Sequence, residues 1–168
     1  MMNQLDRQLA AYCSPTLAGI KPASLVSFRA LYPDLPQRLK TYREAFAPRG
    51  MCFEIVCACR GRYLLMVYQK QALERHMAEP CVQHVLASFG YPAGQPLQDL
   101  LRELKRRIAL SETFPHEIGL FLGYPIEDVV GFIRNAGRGC KLSGYWKVYG
   151  DAQAASRLFD RLSRVCRA

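Results

Sequence analysis

Residues 52–59, Cys-Phe-Glu-Ile-Val-Cys-Ala-Cys, and residues 63–69, Tyr-Leu-Leu-Met-Val-Tyr-Gln, are two apolar runs joined by Arg60-Gly61-Arg62. Short runs rich in β-branched and aromatic residues around a glycine-containing loop predict a β-hairpin. Upstream, residues 24–29 read as a short strand, and 34–47 as a helix with Asp34 at its N-cap and Pro36 in its first turn. Residues 13–22, punctuated by Pro15, Gly19 and Pro22, read as a loop with little polar surface. It follows a short amphipathic helix over 2–12. Downstream come helices over 70–77, 80–89 and 97–110. Two further helices open at Pro115 and Pro125, and a strand is expected over 144–149. Asp151 caps a final helix through Arg164. A run of helices between strands breaks regular βαβ alternation. The expected class is therefore α+β, with a small, mainly antiparallel sheet (hairpin 52–69 plus strand 144–149) packed with several helices in a single domain over 1–168.

Composition narrows the function classes. The chain has 168 residues, half of them hydrophobic and 22% charged, which excludes a disordered chain. No window approaches ~18 unbroken apolar residues, so no membrane span is expected. The first residues include Asp6 and Arg7 and lack an apolar run, unlike a secretory signal. Seven cysteines without such a signal point to reduced thiols in the cytoplasm. The net charge of +9 comes largely from arginine, 17 of the 23 basic residues. These are dispersed, which favours general attraction to acidic partners over a groove reader.

Four stretches are distinctive: Cys13-Ser-Pro-Thr-Leu-Ala-Gly-Ile-Lys-Pro-Ala (13–23), His116-Glu-Ile-Gly-Leu-Phe-Leu-Gly-Tyr-Pro (116–125), Glu127-Asp-Val-Val-Gly-Phe-Ile-Arg-Asn (127–135) and Gly144-Tyr-Trp-Lys-Val-Tyr-Gly-Asp (144–151). With these motifs the chain resembles, over nearly its whole length, an uncharacterised bacterial family of unknown function found largely in anaerobes. The resemblance implies a cytosolic stand-alone domain with no established activity. It also implies that relatives commonly continue past the position of Cys166 into a short tail. The Cys52, Cys57, Cys59 and Cys81 cluster lies outside the family pattern.

Several residue sets carry chemistry. Cys13 and His116, if within hydrogen-bond reach, would form a thiolate nucleophile; the alternative is a packed thiol and a helix-start imidazole. Lys21 would favour that thiolate or hold an anionic substrate. His116-Glu117 lacks the second histidine one turn on, where Leu120 stands, so zinc-protease chemistry is excluded. Glu117 is then a ligand-contacting or helix-start carboxylate. Cys57, Cys59, Cys81 and His84 offer four metal-type ligands or, equally, packed thiols. On the 144–149 strand, Tyr145, Lys147 and Tyr149 share one face, an aromatic–cation–aromatic strip suited to a planar or anionic ligand. Trp146 and Val148 face the core. The basic helix 102–107, with Arg134, Arg138 and Lys141, forms either a phosphate patch or a solvated face. There is no Walker loop or dinucleotide fingerprint, so the cofactor is unknown.

The expected function is small-molecule binding, with or without thiol-dependent catalysis. The site is expected between the 13–22 loop, the start of the 115–122 helix and the 144–149 strand. Cys13, Lys21, His116, Tyr145 and Lys147 would share it, with Glu117 and Tyr149 alongside. The alternatives are an accessory protein handling metal, haem or an acidic redox partner, and a basic nucleic-acid or regulatory adaptor.

Overall fold

A computed structural model describes residues 3–29, 34–59 and 61–167. Arg60 of the expected hairpin loop and Met2 of the expected first helix lie outside them. The hairpin forms as the sequence predicts, from β2 (Met51–Cys59) and β3 (Arg62–Gln69). β1 (Ala23–Arg29) pairs antiparallel on the other side, giving the order β1-β3-β2.

Central β3 explains its own sequence. Leu65, Met66, Val67 and Tyr68 are all buried, because helices cover both faces of the sheet. Leu65 and Val67 pack with Val26, Phe28 and Phe53 beneath α1 (Gln4–Leu17) and α2 (Leu35–Phe46). Met66 and Tyr68 face the opposite layer. That layer is built from α3 (Lys70–Met77), α4 (Pro80–Ser88), α5 (Leu97–Leu110), α6 (Ile118–Phe121) and α7 (Ile126–Arg134). A strand buried on both faces reads as a continuous apolar run, not an alternation. In β2 the register shifts between Ile55 and Cys57, a β-bulge that places Val56 and Cys57 in the same core cluster.

Three expected elements differ. Residues 13–17 belong to α1, not to a loop, although Pro15 lies inside it. Leu5, Leu9, Cys13 and Thr16 form one buried helical face, and that burial outweighs the hydrogen bond a proline forfeits. The helix ends at Gly19 (φ 74), where Gly19 N donates to Thr16 O and Ile20 N to Pro15 O, a Schellman arrangement. The helix expected from Pro115 to Leu122 is only the single turn α6. Pro115 and His116 precede it in tighter turns, with Ile118 N donating to Pro115 O and Gly119 N to His116 O.

The strand expected over 144–149 is instead a small hairpin separate from the main sheet, β4 (Leu142–Ser143) with β5 (Lys147–Val148). Gly144 N donates to Trp146 O and closes its turn. A Cβ on Gly144 would lie 2.4 Å from the Phe159 ring. The expected alternation survives: Trp146 and Val148 are buried, while Tyr145 and Lys147 are exposed. With Ala155, Phe159 and Leu162 of α8 (Ala152–Arg167), Trp146 and Val148 form a third apolar cluster. Asp151 caps α8 by accepting from Ala154 N at 2.9 Å.

The hairpin seats against α7 at Gly131, where a Cβ would come within 2.5 Å of Tyr149 Cβ. Gly→Ala in a helix interior ordinarily gains ~1 kcal/mol. Here G131A is expected to cost about 1–3 kcal/mol by overpacking. Urea unfolding of G131A, Y149A and the double variant checks this; the double should lose less than the sum of the singles.

Candidate functional site

The site begins with a carboxylate. Asp128, in the first turn of α7, is 3% exposed. A buried carboxylate must find donors to offset its lost hydration. Asp128 Oδ1 accepts from Tyr149 N and Gly150 N, and Oδ2 from Trp146 Nε1, each at 2.8 Å. These bonds fix the 146–150 segment to α7. Trp146 then stacks on Tyr124 (centroids 4.6 Å apart, 24° between planes) and meets Phe159 edge-on at 4.6 Å.

In front of this wall lies a cavity of about 350 Å³. Phe114, Tyr124, Phe132, Tyr145 and Trp146 supply its aromatic surface, and His116, Asp128 and Lys147 its polar groups. Gly119 leaves room for Val129 and Tyr124 to close the floor, since a Cβ there would lie 2.9 Å from Val129. The His116 ring packs on Phe132 with centroids 4.9 Å apart. Lys147 Nζ donates to Gly137 O at 2.7 Å and sits 5.9 Å from the Phe132 centroid. Gly137 (φ 73) follows Ala136 (φ 48), a non-glycine residue in left-handed geometry that costs on the order of 1 kcal/mol. Among the described residues no carboxylate pairs with Lys147, and no group hydrogen-bonds the His116 ring. The one carboxylate lining the cavity, Asp128, already has its three N–H donors.

Residues 9–168 match the model of a family described as protein of unknown function, DUF3793. The chain belongs to that family. No curated protein and no solved structure matches it. Membership in DUF3793 brings no activity with it, so the site stands on its geometry.

Of the residues predicted from sequence, His116, Tyr145 and Lys147 line this DUF3793 cavity together. Cys13 does not. It is 0% exposed, in the cluster beneath α1 and α2. Burial pushes its thiol up to about 12, and the nearby charge of Lys21 only partly offsets this. The expected Cys13–His116 pair is therefore corrected: desolvation keeps Cys13 a protonated core thiol. Lys21 touches the cavity wall from another groove, its Nζ 5.1 Å from the Tyr124 centroid. Glu117 is buried and engaged, accepting from the Tyr91 hydroxyl at 3.3 Å and facing Arg107 Nη1 at 3.6 Å. It lines an adjoining cleft with His116, outside the cavity. Tyr149 also lies outside; its hydroxyl donates to Arg138 O at 3.0 Å and its ring root covers Gly131.

The four metal-type ligands do not converge. Cys57 and Cys59 form a disulfide, Cys81 is exposed with its thiol 3.9 Å from Glu79, and His84 lines a separate apolar groove with Phe89 and Ile133. Among the described residues no three His, Cys, Asp or Glu side chains are grouped to hold a metal. The basic helix is largely neutralised in place. Arg102 pairs with Asp99, Arg106 and Arg107 with Glu103, and Lys105 with Glu54 across to β2. No helix is long and apolar enough to cross a membrane among the described residues.

Sequence reasoning missed Asp128, Tyr124, Phe132 and Phe114. Asp128 and Phe132 stand four apart on α7, a spacing that aligns them on one face of the helix, while Tyr124 precedes it. That pattern was the available signal.

Two measurements test this geometry. D128N keeps the size but sets an amide NH₂ against N–H donors, and is expected to cost about 2–4 kcal/mol in urea unfolding. The emission of Trp146, the only tryptophan, should shift to the red as its indole loses its partner. Iodoacetamide at neutral pH should label exposed Cys81 first and Cys13 only on unfolding. Rapid selective labelling of Cys13 would restore it as a nucleophile.

Proposed function

We propose that this chain is a single-domain bacterial protein of the cytoplasm that binds a small, flat organic anion in the cavity between α6, α7 and the β4–β5 hairpin. The observation that carries the reading is an aromatic-walled cavity holding a lysine ammonium that has no carboxylate partner among the described residues. Planar rings gain on the order of 0.5–1.5 kcal/mol from each aromatic contact beyond area burial. A carboxylate on the ligand would take the remaining donors of Lys147, with the His116 ring free to add another. The volume, about 350 Å³, suits a ligand of one or two fused rings. Tyr145, 42% exposed with its hydroxyl 3.2 Å from Ser163 Oγ, stands at the open side. The cytoplasmic part rests on five free cysteines; the Cys57–Cys59 bridge argues the other way.

Trp146 gives the readout, because it forms part of the wall. Titration with 1-naphthoate should change its emission saturably, and 1-naphthalenemethanol should bind at least tenfold more weakly, about 1.4 kcal/mol. K147M should abolish the preference for the acid while leaving the alcohol's affinity nearly unchanged. Equal affinity for acid and alcohol, or no saturable change with either, would refute the reading.

A further inference from the structure

A second concavity lies beyond Tyr124. It is a groove of about 480 Å³ whose lining includes Lys21, Pro22, Arg75, His76, Glu79 and Gly123. Lys21 is placed there by the Schellman turn that ends α1 and by Pro22, which packs so closely on Gly123 that a Cβ at Gly123 would lie 2.5 Å from it. We propose that this groove is a site for small 2-oxo acids, in which the Lys21 amine condenses with the ligand's carbonyl to form an imine and Arg75 holds its carboxylate.

Three observations support the assignment. First, Lys21 is half-buried, and among the described residues no carboxylate, carbonyl or hydroxyl accepts from its amine. Its Nζ lies over the Tyr124 ring, 5.1 Å from the centroid. Second, burial pushes its amine down to about 8, with Cys13 and Cys166 acting in the opposite sense. Near neutral pH such an amine has a much larger free-base share than an ordinary lysine. A group that is so often neutral is a poor anion holder and a good nucleophile. Third, the groove supplies a separate anion holder. Arg75 is exposed and forms no ion pair among the described residues, while Glu79 is turned to His76 Nδ1 at 3.4 Å. His76 Nε2 is committed to Leu120 O at 2.8 Å.

The chemistry balances without a redox partner. The amine lone pair attacks the carbonyl carbon, and the carbinolamine loses water. One C=N bond replaces one C=O bond, and both amine hydrogens leave with the oxygen. Cys13, held protonated, does not compete.

The test is reductive trapping. The full chain is incubated with pyruvate and cyanoborohydride at pH 7.5, and peptides are mapped by mass spectrometry. Adduct at Lys21 should exceed that at exposed Lys40 and Lys70 at least tenfold. It should fall at least fivefold in R75A and exceed the adduct formed with neutral propanal at equal concentration. K21R should give no adduct at that position while keeping the native Trp146 emission. Adduct spread evenly over the six lysines, adduct chiefly at Lys147, or equal labelling by pyruvate and propanal would overturn the proposal. The proposed anion cavity is read separately, by naphthoate titration of the K21R protein, so either idea can fail alone.

Discussion

A carboxylate withdrawn from water is stable only where fixed donors replace its hydration, and Asp128 meets that condition through three bonds to one segment. This single requirement organises the C-terminal part of the molecule. It holds the Trp146 indole upright between Tyr124 and Phe159, and it turns the chain at Tyr149–Gly150 toward α8. The donors are all neutral N–H groups, so Asp128, the one carboxylate lining the cavity among the described residues, keeps its charge but has its oxygens committed, while the Lys147 ammonium keeps donors to offer.

How much was legible depended on whether local pattern or distant packing decides. The hairpin was legible because β3 must be apolar on both faces and Gly61 (φ 68) marks the reversal. Helix α5 was legible to the residue, because Leu97, Leu100, Leu101, Leu104 and Ile108 form one stripe. Pro15 misled, since a proline signals a break in isolation, while here Leu5, Leu9, Cys13 and Thr16 bury a helical face that continues past it. Gly144 misled for another reason. Its neighbours alternate as a strand would, but the position faces the Phe159 ring, leaving space for backbone alone. No local pattern announces a contact made with a residue fifteen positions away.

The site divides along the same line. His116, Tyr145 and Lys147 were found because their residue types are costly in a core and need a use. Asp128 was not singled out from its motif. Its role depends on where an indole N–H from another segment arrives. Glu117 shows the reverse error: it was read as available, yet Arg107 and Tyr91 already occupy it. The overall charge of +9 was equally uninformative about location, because the densest basic helix is paired with its own Asp99 and Glu103 and with Glu54 of β2.

Cys13 and Lys21 show why desolvation must be weighed before a nucleophile is named. Both sit near the end of α1, and burial favours the neutral form of each. For a thiol the neutral form is the protonated, unreactive one. For an amine it is the free base that attacks carbonyls. One low-dielectric environment therefore disfavours both the thiolate and the ammonium. Their mutual influence is too small to reverse this: the ammonium of Lys21 draws the Cys13 thiol down, but less than burial drives it up. Desolvation thus weighs against a nucleophilic Cys13 and supports the amine chemistry proposed for Lys21.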